Sequence, residues 1–235
     1  MKVEIWSDVV CPWCYVGKRQ LEDALSRFGH ADQVTVEWRS FELDPDSPAR
    51  VELPMSTILQ KKYGMTAAQA EAANQRMTAL AASVGLEYHL DDVRPGNTFD
   101  AHRLVHLAAT HGLGDAMKER LFRAYFTEGR SPGDRDTLLA LAEEVGLDAD
   151  EVRAVLDGDG FAVEVRHDEA RAGALGATGV PFFVIDEAYG VSGAQPADVL
   201  LGALDRAWSD RHPLTVVEGP TDAGGNACAD GACAV

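Results

Sequence analysis

The sequence predicts an α/β fold that is split by a large all-helical insertion. Three observations support this: a strand and a helix open the chain, residues 55–176 carry almost no strand signal, and β-rich sequence returns at residues 179–186. A βαβ half is thus followed by helices and then by a ββα half. We therefore expect residues 1–45 and 177–212 to form one domain, and residues 46–176 to form a helical insertion.

The βαβ half starts with the stretch "VEIWSDVVCPWCYVGKRQLEDAL". Its apolar, β-branched residues Val3 and Ile5 predict a strand, and Val16 and Leu21 then recur at helical spacing among charged residues. The stretch "QVTVEWRSFEL" at residues 33–43 alternates apolar and polar side chains, so it predicts a second strand.

The helical insertion carries clear signals for the starts and ends of helices. In "MTAAQAEAANQRMTALAASVG", Thr66 and Gln69 have the spacing of a capping box, and Gly85 stands where the helix would end. Similar signals predict further helices at residues 98–111, 115–127, 134–145, 148–156 and 161–176.

The ββα half begins with the strand "GVPFFVID" at residues 179–186. The turn-like "EAYG" and the short strand "VSG" follow, and residues 195–208 predict a closing amphipathic helix. Residues 213–235 are rich in Gly, Ala, Asp and Thr, and we expect them to form a mobile extension.

Composition excludes several classes of function. A chain of 235 residues with 46% hydrophobic content can bury a core without disulfide bonds. Its formal net charge of −17 argues against nucleic-acid or anionic-membrane partners, because both need clustered Lys and Arg. Glu4 and Asp8 interrupt the place where a secretory leader would be apolar, and no apolar run reaches roughly 18 residues. We expect a cytoplasmic protein whose four cysteines serve in catalysis or metal binding.

Two of the cysteines lie at the junction of the first strand and the first helix. With Cys11 at the N-cap and Pro12 at position N1, Cys14 falls at N3, where the two sulfurs can meet. Unpaired backbone N–H groups and the positive helix end favour a thiolate at this cap, although Asp8 would oppose the negative charge. We expect Cys11 to be the more exposed, attacking sulfur and Cys14 to resolve the mixed disulfide.

The stretches "SDVVCPWCYVG", "GVPFFVID" and "VSGAQP" resemble the thioredoxin superfamily, and most closely its DsbA-like branch of FrnE type, over residues 1–210. The resemblance implies a thioredoxin fold with the helical insertion between its βαβ and ββα halves. It also implies that a cis Pro181 faces the dithiol and that Val180 offers backbone groups to an extended substrate. Pro12 and Trp13 would border the same substrate site, although an aromatic residue there covers the core equally often.

The second cysteine pair, Cys228 and Cys233 in "CADGAC", leaves several possibilities open. The pair is an auxiliary dithiol that exchanges electrons with the first pair, a local disulfide in a tail without a catalytic role, or half of a zinc site of four thiolates. His102 and His106 stand four residues apart, but without an H-E-x-x-H pattern they predict packing or solvent exposure and no metal site.

The leading hypothesis is a thiol-disulfide oxidoreductase that needs no metal and no organic cofactor. Its partners would be proteins or small molecules with thiols or disulfides, and its reduction potential would decide whether it oxidises, reduces or isomerises them. The resemblance also extends to hydroxychromene-carboxylate isomerases and kappa-class glutathione transferases, which usually carry serine at the first cysteine position. A glutathione-dependent isomerase or transferase is therefore one alternative. A zinc-binding holdase built on all four thiolates is another.

Overall fold

The computed structural model describes residues 1–213 and confirms the α/β fold with helices inserted between its two halves. Within that range the chain forms a four-stranded sheet, nine α-helices and one turn of 3-10 helix at Ala31–Gln33. The strands are β1 (Lys2–Ser7), β2 (Thr35–Ser40), β3 (Phe182–Ile185) and β4 (Tyr189–Ser192). The helices are α1 (Pro12–Arg27), α2 (Met55–Tyr63), α3 (Ala67–Ser83), α4 (Phe99–Thr110), α5 (Gly114–Phe126), α6 (Arg135–Val145), α7 (Ala149–Asp157), α8 (Ala162–Ala174) and α9 (Ala197–Arg211).

The sheet is mixed, and its strand order is β2-β1-β3-β4. β1 runs parallel to β2, with Lys2 opposite Thr35, and antiparallel to β3, with Ile5 opposite Phe183. β3 and β4 form an antiparallel hairpin. β1 is therefore a central strand, and its carboxyl end leads into the loop that carries Cys11.

Glu4 lies in the middle of this central strand, fully buried between two arginines. Arg39 of β2 donates from Nε to the Glu4 carboxylate at 2.8 Å, and Arg171 of α8 donates from Nη2 at 2.8 Å. Burial raises the pKa of Glu4, but the hydrogen bonds and charges of Arg171 and Arg39 outweigh it and lower the pKa overall. The ionised carboxylate thus fastens α8 and β2 to the centre of the sheet.

A continuous apolar core joins the inserted helices to the sheet. Ile5 and Phe183 belong to the same buried cluster as Leu104 of α4, Leu121 of α5 and Leu200 of α9. Helices α1 and α9 pack on each other, and α5 and α8 pack on β2. The sheet and the inserted helices share this core, so the domain boundaries at residues 45–46 and 176–177 stay a prediction. In the part of the chain that the structure describes, no helix is both long and apolar enough to cross a bilayer.

The turn between β3 and β4 differs from the sequence prediction. It is formed by residues 186–188, and Tyr189 already belongs to β4. Asp186 and Glu187 both have positive φ angles, 48° and 59°, a conformation that sequence patterns assign to Gly or Asn. The Asp186 carboxylate accepts a hydrogen bond from the Lys2 backbone N–H at 2.8 Å, which ties the turn to β1.

Candidate active site

The first cysteine pair lies where β1 passes into α1. β1 ends at Ser7, a turn follows, and Cys11 occupies the N-cap of α1 with extended backbone angles of φ −87° and ψ 111°. Pro12 stands at N1, where its missing N–H costs no hydrogen bond and its fixed φ suits the helix. The Cys14 backbone N–H donates to the Cys11 carbonyl at 3.0 Å, so one helical turn brings the two cysteines together.

Both cysteines are free thiols and both are buried, since Cys11 is 3% exposed and Cys14 is 1% exposed. The sequence analysis expects Cys11 to be clearly the more exposed of the two, but the structure shows only a slight difference because both side chains pack inside the fold. Cys11 Sγ lies 3.5 Å from the Val180 carbonyl oxygen, to which it donates. Tyr15 and Tyr88 belong to the apolar cluster that encloses the pair. These neighbours, and not solvent, surround the Cys11 sulfur.

Cys14 is held in its protonated form. Burial raises the pKa of Cys14 well above the ordinary thiol value, and the hydrogen bond and charge of Cys11 raise it further. The charge of Lys118 acts in the opposite direction. A sulfur that keeps its proton until an intermediate forms has the property required of a resolving cysteine.

The Val180–Pro181 peptide bond is cis, and Pro181 lies directly against helix α1. Gly17 permits this approach, because a Cβ at Gly17 would lie 2.9 Å from Pro181 Cγ and 3.3 Å from Phe183 Cζ. The Pro181 carbonyl accepts a hydrogen bond from the Gly193 N–H at 2.8 Å. The second half of the fold is thereby held next to the dithiol.

The two residues between the cysteines have different surroundings. Trp13 is 48% exposed, which is inconsistent with the alternative that it covers the core. Pro12 is partly buried, and its carbonyl accepts a hydrogen bond from the Tyr88 hydroxyl at 2.8 Å. An exposed aromatic ring beside a buried thiol is placed to contact an incoming molecule.

An aromatic cluster forms the wall of the site on the side of the inserted helices. Tyr15 of α1 stacks on Phe122 of α5 with ring centroids 4.8 Å apart, and Tyr88 stacks on Phe126 at 4.6 Å. Burial raises the pKa of both tyrosines, so their hydroxyls stay protonated. The Tyr15 hydroxyl donates to Glu119 Oε1 at 2.6 Å.

Asp8 lies next to the dithiol, since its carbonyl accepts the Cys11 backbone N–H at 3.1 Å, and His102 and His106 each contact a buried carboxylate. The Asp8 carboxylate accepts from the Leu43 N–H at 2.7 Å and lies 3.4 Å from His102 Nε2. Burial raises the pKa of Asp8, but the neighbouring His102 and the hydrogen bond from the Leu43 amide lower it overall. His106 Nε2 lies 3.1 Å from Asp168. In residues 1–213, no group of three or more His, Cys, Asp or Glu side chains is arranged to hold a metal ion.

Lys118 of α5 is a site residue that the sequence patterns did not reveal. It is fully buried, its Nζ donates to the Ser7 carbonyl at 3.0 Å, and the same atom lies 5.3 Å from the centre of the Phe122 ring. Burial lowers the pKa of Lys118 to about 8. Several negative charges act in the opposite direction, and that of Cys14 has the largest effect. Its burial could have been inferred from helical spacing, because Leu121 and Phe122 follow it by three and four residues on the apolar face of α5.

Known proteins match this chain over almost its whole length. The model of the DSBA-like thioredoxin domain family matches residues 2–205. The crystal structure of a probable DsbA oxidoreductase from Streptomyces coelicolor is 51% identical, with a TM-score of 0.87 over 94% of this chain and 97% of that chain. YwbO of Bacillus subtilis is 32% identical over 209 residues, which cover 86% of this chain and 94% of YwbO.

A more distant structure shares the fold alone. A 2-hydroxychromene-2-carboxylate isomerase is 17% identical, with a TM-score of 0.66 over 92% of this chain and all of that chain. Family membership follows from two findings: the family model matches residues 2–205, and the Streptomyces and Bacillus proteins are 51% and 32% identical to this chain. The chain belongs to the DSBA-like thioredoxin domain family.

Proposed function

We propose that this chain is a thiol-disulfide oxidoreductase in which Cys11 attacks and Cys14 resolves. The observation that carries the proposal is the placement of two free thiols at the N-cap and N3 of α1, with the Val180 carbonyl 3.5 Å from Cys11 Sγ. The Cys11 side chain accepts no cap hydrogen bond from the backbone of α1, so the expected contact with the N–H groups is not formed, and the positive end of the helix dipole would favour the thiolate that attacks a disulfide. Within its family, we place the chain with the FrnE-type members.

The exchange proceeds through two displacements at sulfur. The Cys11 thiolate attacks a substrate disulfide, so a Cys11–substrate bond forms and the other substrate sulfur leaves as a thiolate. Cys14 then loses its proton and attacks Cys11 Sγ, which forms the Cys11–Cys14 disulfide and releases the second substrate thiolate. The substrate gains two electrons and the dithiol loses two. The reverse order oxidises a dithiol substrate.

Four residues around the dithiol would bind the substrate. An extended segment would pair with the backbone of Val180 beside the cis Pro181. Trp13, half exposed, would pack on that segment, and Pro12 would border it. The substrate sulfur would then approach Cys11 alongside the Val180 carbonyl.

We infer a cytosolic protein that exchanges electrons with glutathione or with a protein dithiol. A cytosolic disulfide reductase, DsbM of Pseudomonas aeruginosa, has been solved with glutathione and shares the fold, with 20% identity and a TM-score of 0.59 over 90% of this chain and 97% of that chain. The direction of net electron flow follows from the reduction potential of the Cys11–Cys14 couple relative to the glutathione pool.

Cys228 and Cys233 lie outside the described residues, as does most of the extension predicted at residues 213–235. We propose that this second pair relays electrons to or from the first, since a flexible chain of about 15 residues typically spans roughly 20 Å. Replacing both by serine should then slow turnover with a reducing partner. Unchanged turnover would favour a tail without a catalytic role, and zinc that is lost in the same variant would favour the four-thiolate metal site.

A trapping experiment tests the attacking and resolving roles. With glutathione disulfide, Cys14→Ser should accumulate a glutathione adduct on Cys11, because the resolving sulfur is missing. Cys11→Ser is the matched control and should accumulate no adduct on the remaining Cys14, because burial raises the pKa of Cys14 and holds it as a thiol. Both variants should also lack Cys228 and Cys233, and peptide mass mapping locates the adduct. An adduct that forms equally in both variants would contradict the assignment.

A glutathione-dependent isomerase is the second candidate, favoured by the shared fold of 2-hydroxychromene-2-carboxylate isomerase. Such an enzyme would need one activated group and not a resolving sulfur. An aromatic chromene carboxylate assayed with glutathione separates the two functions. Isomerase activity that survives Cys14→Ser would support the isomerase, whereas disulfide exchange should not survive this change.

A further inference from the structure

We propose that Tyr88 is a positioning residue that holds the first turn of α1 in the geometry of the free dithiol, and that it thereby shifts the equilibrium of the Cys11–Cys14 couple toward the two thiols. The inference rests on the proposed function and adds to it a residue from the helical insertion. It follows from a hydrogen bond that reaches the backbone between the two cysteines.

The contact is made by the hydroxyl of a buried side chain. Tyr88 is 4% exposed, and its hydroxyl donates to the Pro12 carbonyl at 2.8 Å. Pro12 is the first residue of α1. A carbonyl oxygen has two lone pairs, so the Pro12 carbonyl can accept the hydroxyl in addition to a hydrogen bond within the helix. Loss of the hydroxyl therefore leaves the bond within the helix in place.

The loop that carries Tyr88 is fastened on both sides of this residue. The Thr127 hydroxyl donates to the Glu87 carbonyl at 2.6 Å, and the His89 backbone N–H donates to the Phe126 carbonyl at 2.7 Å. Phe126 is the last residue of α5, and Thr127 follows it. The Tyr88 side chain thus extends to α1 from a backbone that the end of α5 holds in place.

The ring of Tyr88 contacts α1 at a second point. It stacks on Phe126 with ring centroids 4.6 Å apart, and on Tyr15, the residue after Cys14, at 6.1 Å. The hydroxyl therefore contacts the residue after Cys11, and the ring contacts the residue after Cys14. Because Tyr88 spans the turn on which both sulfurs lie, a rotation or translation of that turn would disturb both contacts.

These contacts belong to the state in which both cysteines are free thiols. In this state Cys11 Sγ donates to the Val180 carbonyl at 3.5 Å, and this bond ends when Cys11 Sγ bonds to Cys14 Sγ. A disulfide also holds the two Cβ atoms about 3.5–4.5 Å apart, so it imposes its own geometry on the turn. The Tyr88 hydroxyl resists this adjustment. By polarising the Pro12 peptide it also strengthens the positive end of α1, which favours an anionic sulfur and hence the reduced couple.

The equilibrium with glutathione disulfide measures this preference. The glutathione disulfide bond breaks as the Cys11–Cys14 bond forms, both thiol protons pass to the two glutathione sulfurs, and the dithiol loses two electrons. In a chain with Cys228 and Cys233 replaced by serine, we expect Tyr88→Phe to shift this equilibrium toward the Cys11–Cys14 disulfide about 3- to 10-fold, as one hydrogen bond would, which lowers the reduction potential by about 14–30 mV. Mass spectrometry after acid quenching and alkylation measures the two forms.

Urea unfolding of both redox forms separates positioning from a general loss of stability. A hydroxyl that only stabilises the fold would contribute equally to the dithiol and disulfide forms, and the glutathione equilibrium would not move. Positioning requires Tyr88→Phe to destabilise the dithiol form more than the disulfide form. The difference between the two losses should equal the shift of the glutathione equilibrium, because the four states form a closed thermodynamic cycle.

Tyr125→Phe is the matched control. Tyr125 is 1% exposed and belongs to the same buried cluster as Tyr88, but within residues 1–213 its hydroxyl forms no hydrogen bond with α1. Its loss should leave the glutathione equilibrium unchanged. Thr127→Val tests the positioning a second time, because it frees the Glu87 carbonyl from its bond to Thr127 while Tyr88 keeps its hydroxyl. We expect a smaller shift in the same direction as in Tyr88→Phe.

The outcomes distinguish the role of Tyr88 from the function itself. An equilibrium that is unchanged in Tyr88→Phe, or that moves toward the two thiols, would overturn the role of Tyr88. An equal shift in Tyr125→Phe would overturn it as well. Should Tyr88→Phe fail to fold, an unchanged equilibrium in Thr127→Val would decide against it. If the chain with Tyr88 intact forms no Cys11–Cys14 disulfide at any glutathione ratio, the oxidoreductase function itself fails.

Discussion

Gly17 allows helix α1 to lie directly against Pro181. Alanine at this position would place Cβ 2.9 Å from Pro181 Cγ, so the helix or the Pro181 loop must shift. We expect Gly17→Ala to lower the free energy of unfolding by about 1–3 kcal/mol, as other overpacked sites do. Because the Val180 carbonyl would move relative to Cys11, exchange with glutathione disulfide should also slow. Urea unfolding and adduct formation measure the two effects.

Gly202→Ala is the matched control for this substitution. Gly202 also lies inside a helix, α9, but no neighbouring atom stands within 4 Å of a Cβ built there. Alanine should therefore stabilise the chain by up to about 1 kcal/mol, because glycine weakens a helix interior. If the two substitutions changed stability alike, the packing role of Gly17 would be refuted.

The positions of Cys11, Pro12 and Cys14 at the start of α1 can be predicted because the signal is local. A cap, a proline at N1 and a spacing of three residues all belong to one helix start. The place of Lys118 cannot be predicted in this way, since its contact with Ser7 arises from tertiary packing. The contact of Asp8 with the Leu43 amide likewise forms only when the chain after β2 folds back.

Arg103 of α4 holds the end of α7 and the loop that follows it. Its Nε donates to the Gly160 carbonyl at 2.8 Å, and its Nη2 donates to the Gly158 carbonyl at 2.7 Å and to the Val155 carbonyl. Arg103→Met would leave these carbonyls without their donor. We expect it to lower the free energy of unfolding by about 1–3 kcal/mol, measured by urea denaturation.

Two further variants test whether the effect of Arg103→Met comes from the lost hydrogen bonds or from the lost charge. Arg103→Lys keeps the charge but lacks the planar fork, so most of the loss should persist. Arg153→Met, on the exposed side of α7, should change stability by less than about 0.5 kcal/mol, since surface ion pairs contribute little. Full recovery in Arg103→Lys would show that charge alone, without the forked geometry, holds these helices together.

Helix ends were predictable where a side chain forms the cap. The Thr66 hydroxyl accepts from the Gln69 N–H at 3.3 Å, and the Gln69 side chain accepts from the Thr66 N–H at 2.8 Å, which is the expected capping box. Helix α2 starts at Met55 without a side-chain cap and has no buried residue, so the sequence carries only a general helical signal there. The sequence prediction placed the β3–β4 turn one residue too late, because Asp186 adopts a backbone conformation that is more typical of glycine.

Across the whole molecule, Glu4 connects β1 with β2 and with the inserted helix α8. Its pKa lies below the ordinary value of 4.5, because the hydrogen bonds of Arg171 and Arg39 outweigh burial. The ionised carboxylate therefore adds stability above that value, and this stability is lost as the pH falls through the folded pKa. We expect Glu4→Gln to lower the free energy of unfolding at neutral pH by roughly 1.5–3 kcal/mol.

The same variant should lose less of its remaining stability on acidification. Urea unfolding between neutral pH and about pH 3 compares the slopes, since the glutamine side chain no longer takes up a proton. Glu143→Gln, at an exposed position of α6, is the control and should follow the unmodified chain. An equal decrease in acid for Glu4→Gln and the unmodified chain would rule out a contribution from this buried carboxylate.

The inserted helices were predictable as a segment because the loss of strand pattern over residues 55–176 is itself a strong signal. The way in which these helices pack against the sheet could not be predicted. Leu104 and Leu121 share one core with Ile5, and a sequence pattern does not state which apolar faces meet. The resemblance to known oxidoreductases supplied the thioredoxin topology that periodicity alone leaves open.

A reversible bond between Cys11 and Cys14 is the property on which the proposed function depends. A chain with Cys228 and Cys233 replaced by serine can be equilibrated in buffers of different glutathione to glutathione disulfide ratio, quenched in acid, alkylated and weighed by mass spectrometry. We expect a two-electron equilibrium in which the Cys11–Cys14 disulfide replaces both thiols as the ratio falls. Free thiols at every ratio, or glutathione adducts on Cys11 that never convert to this disulfide, would contradict the function.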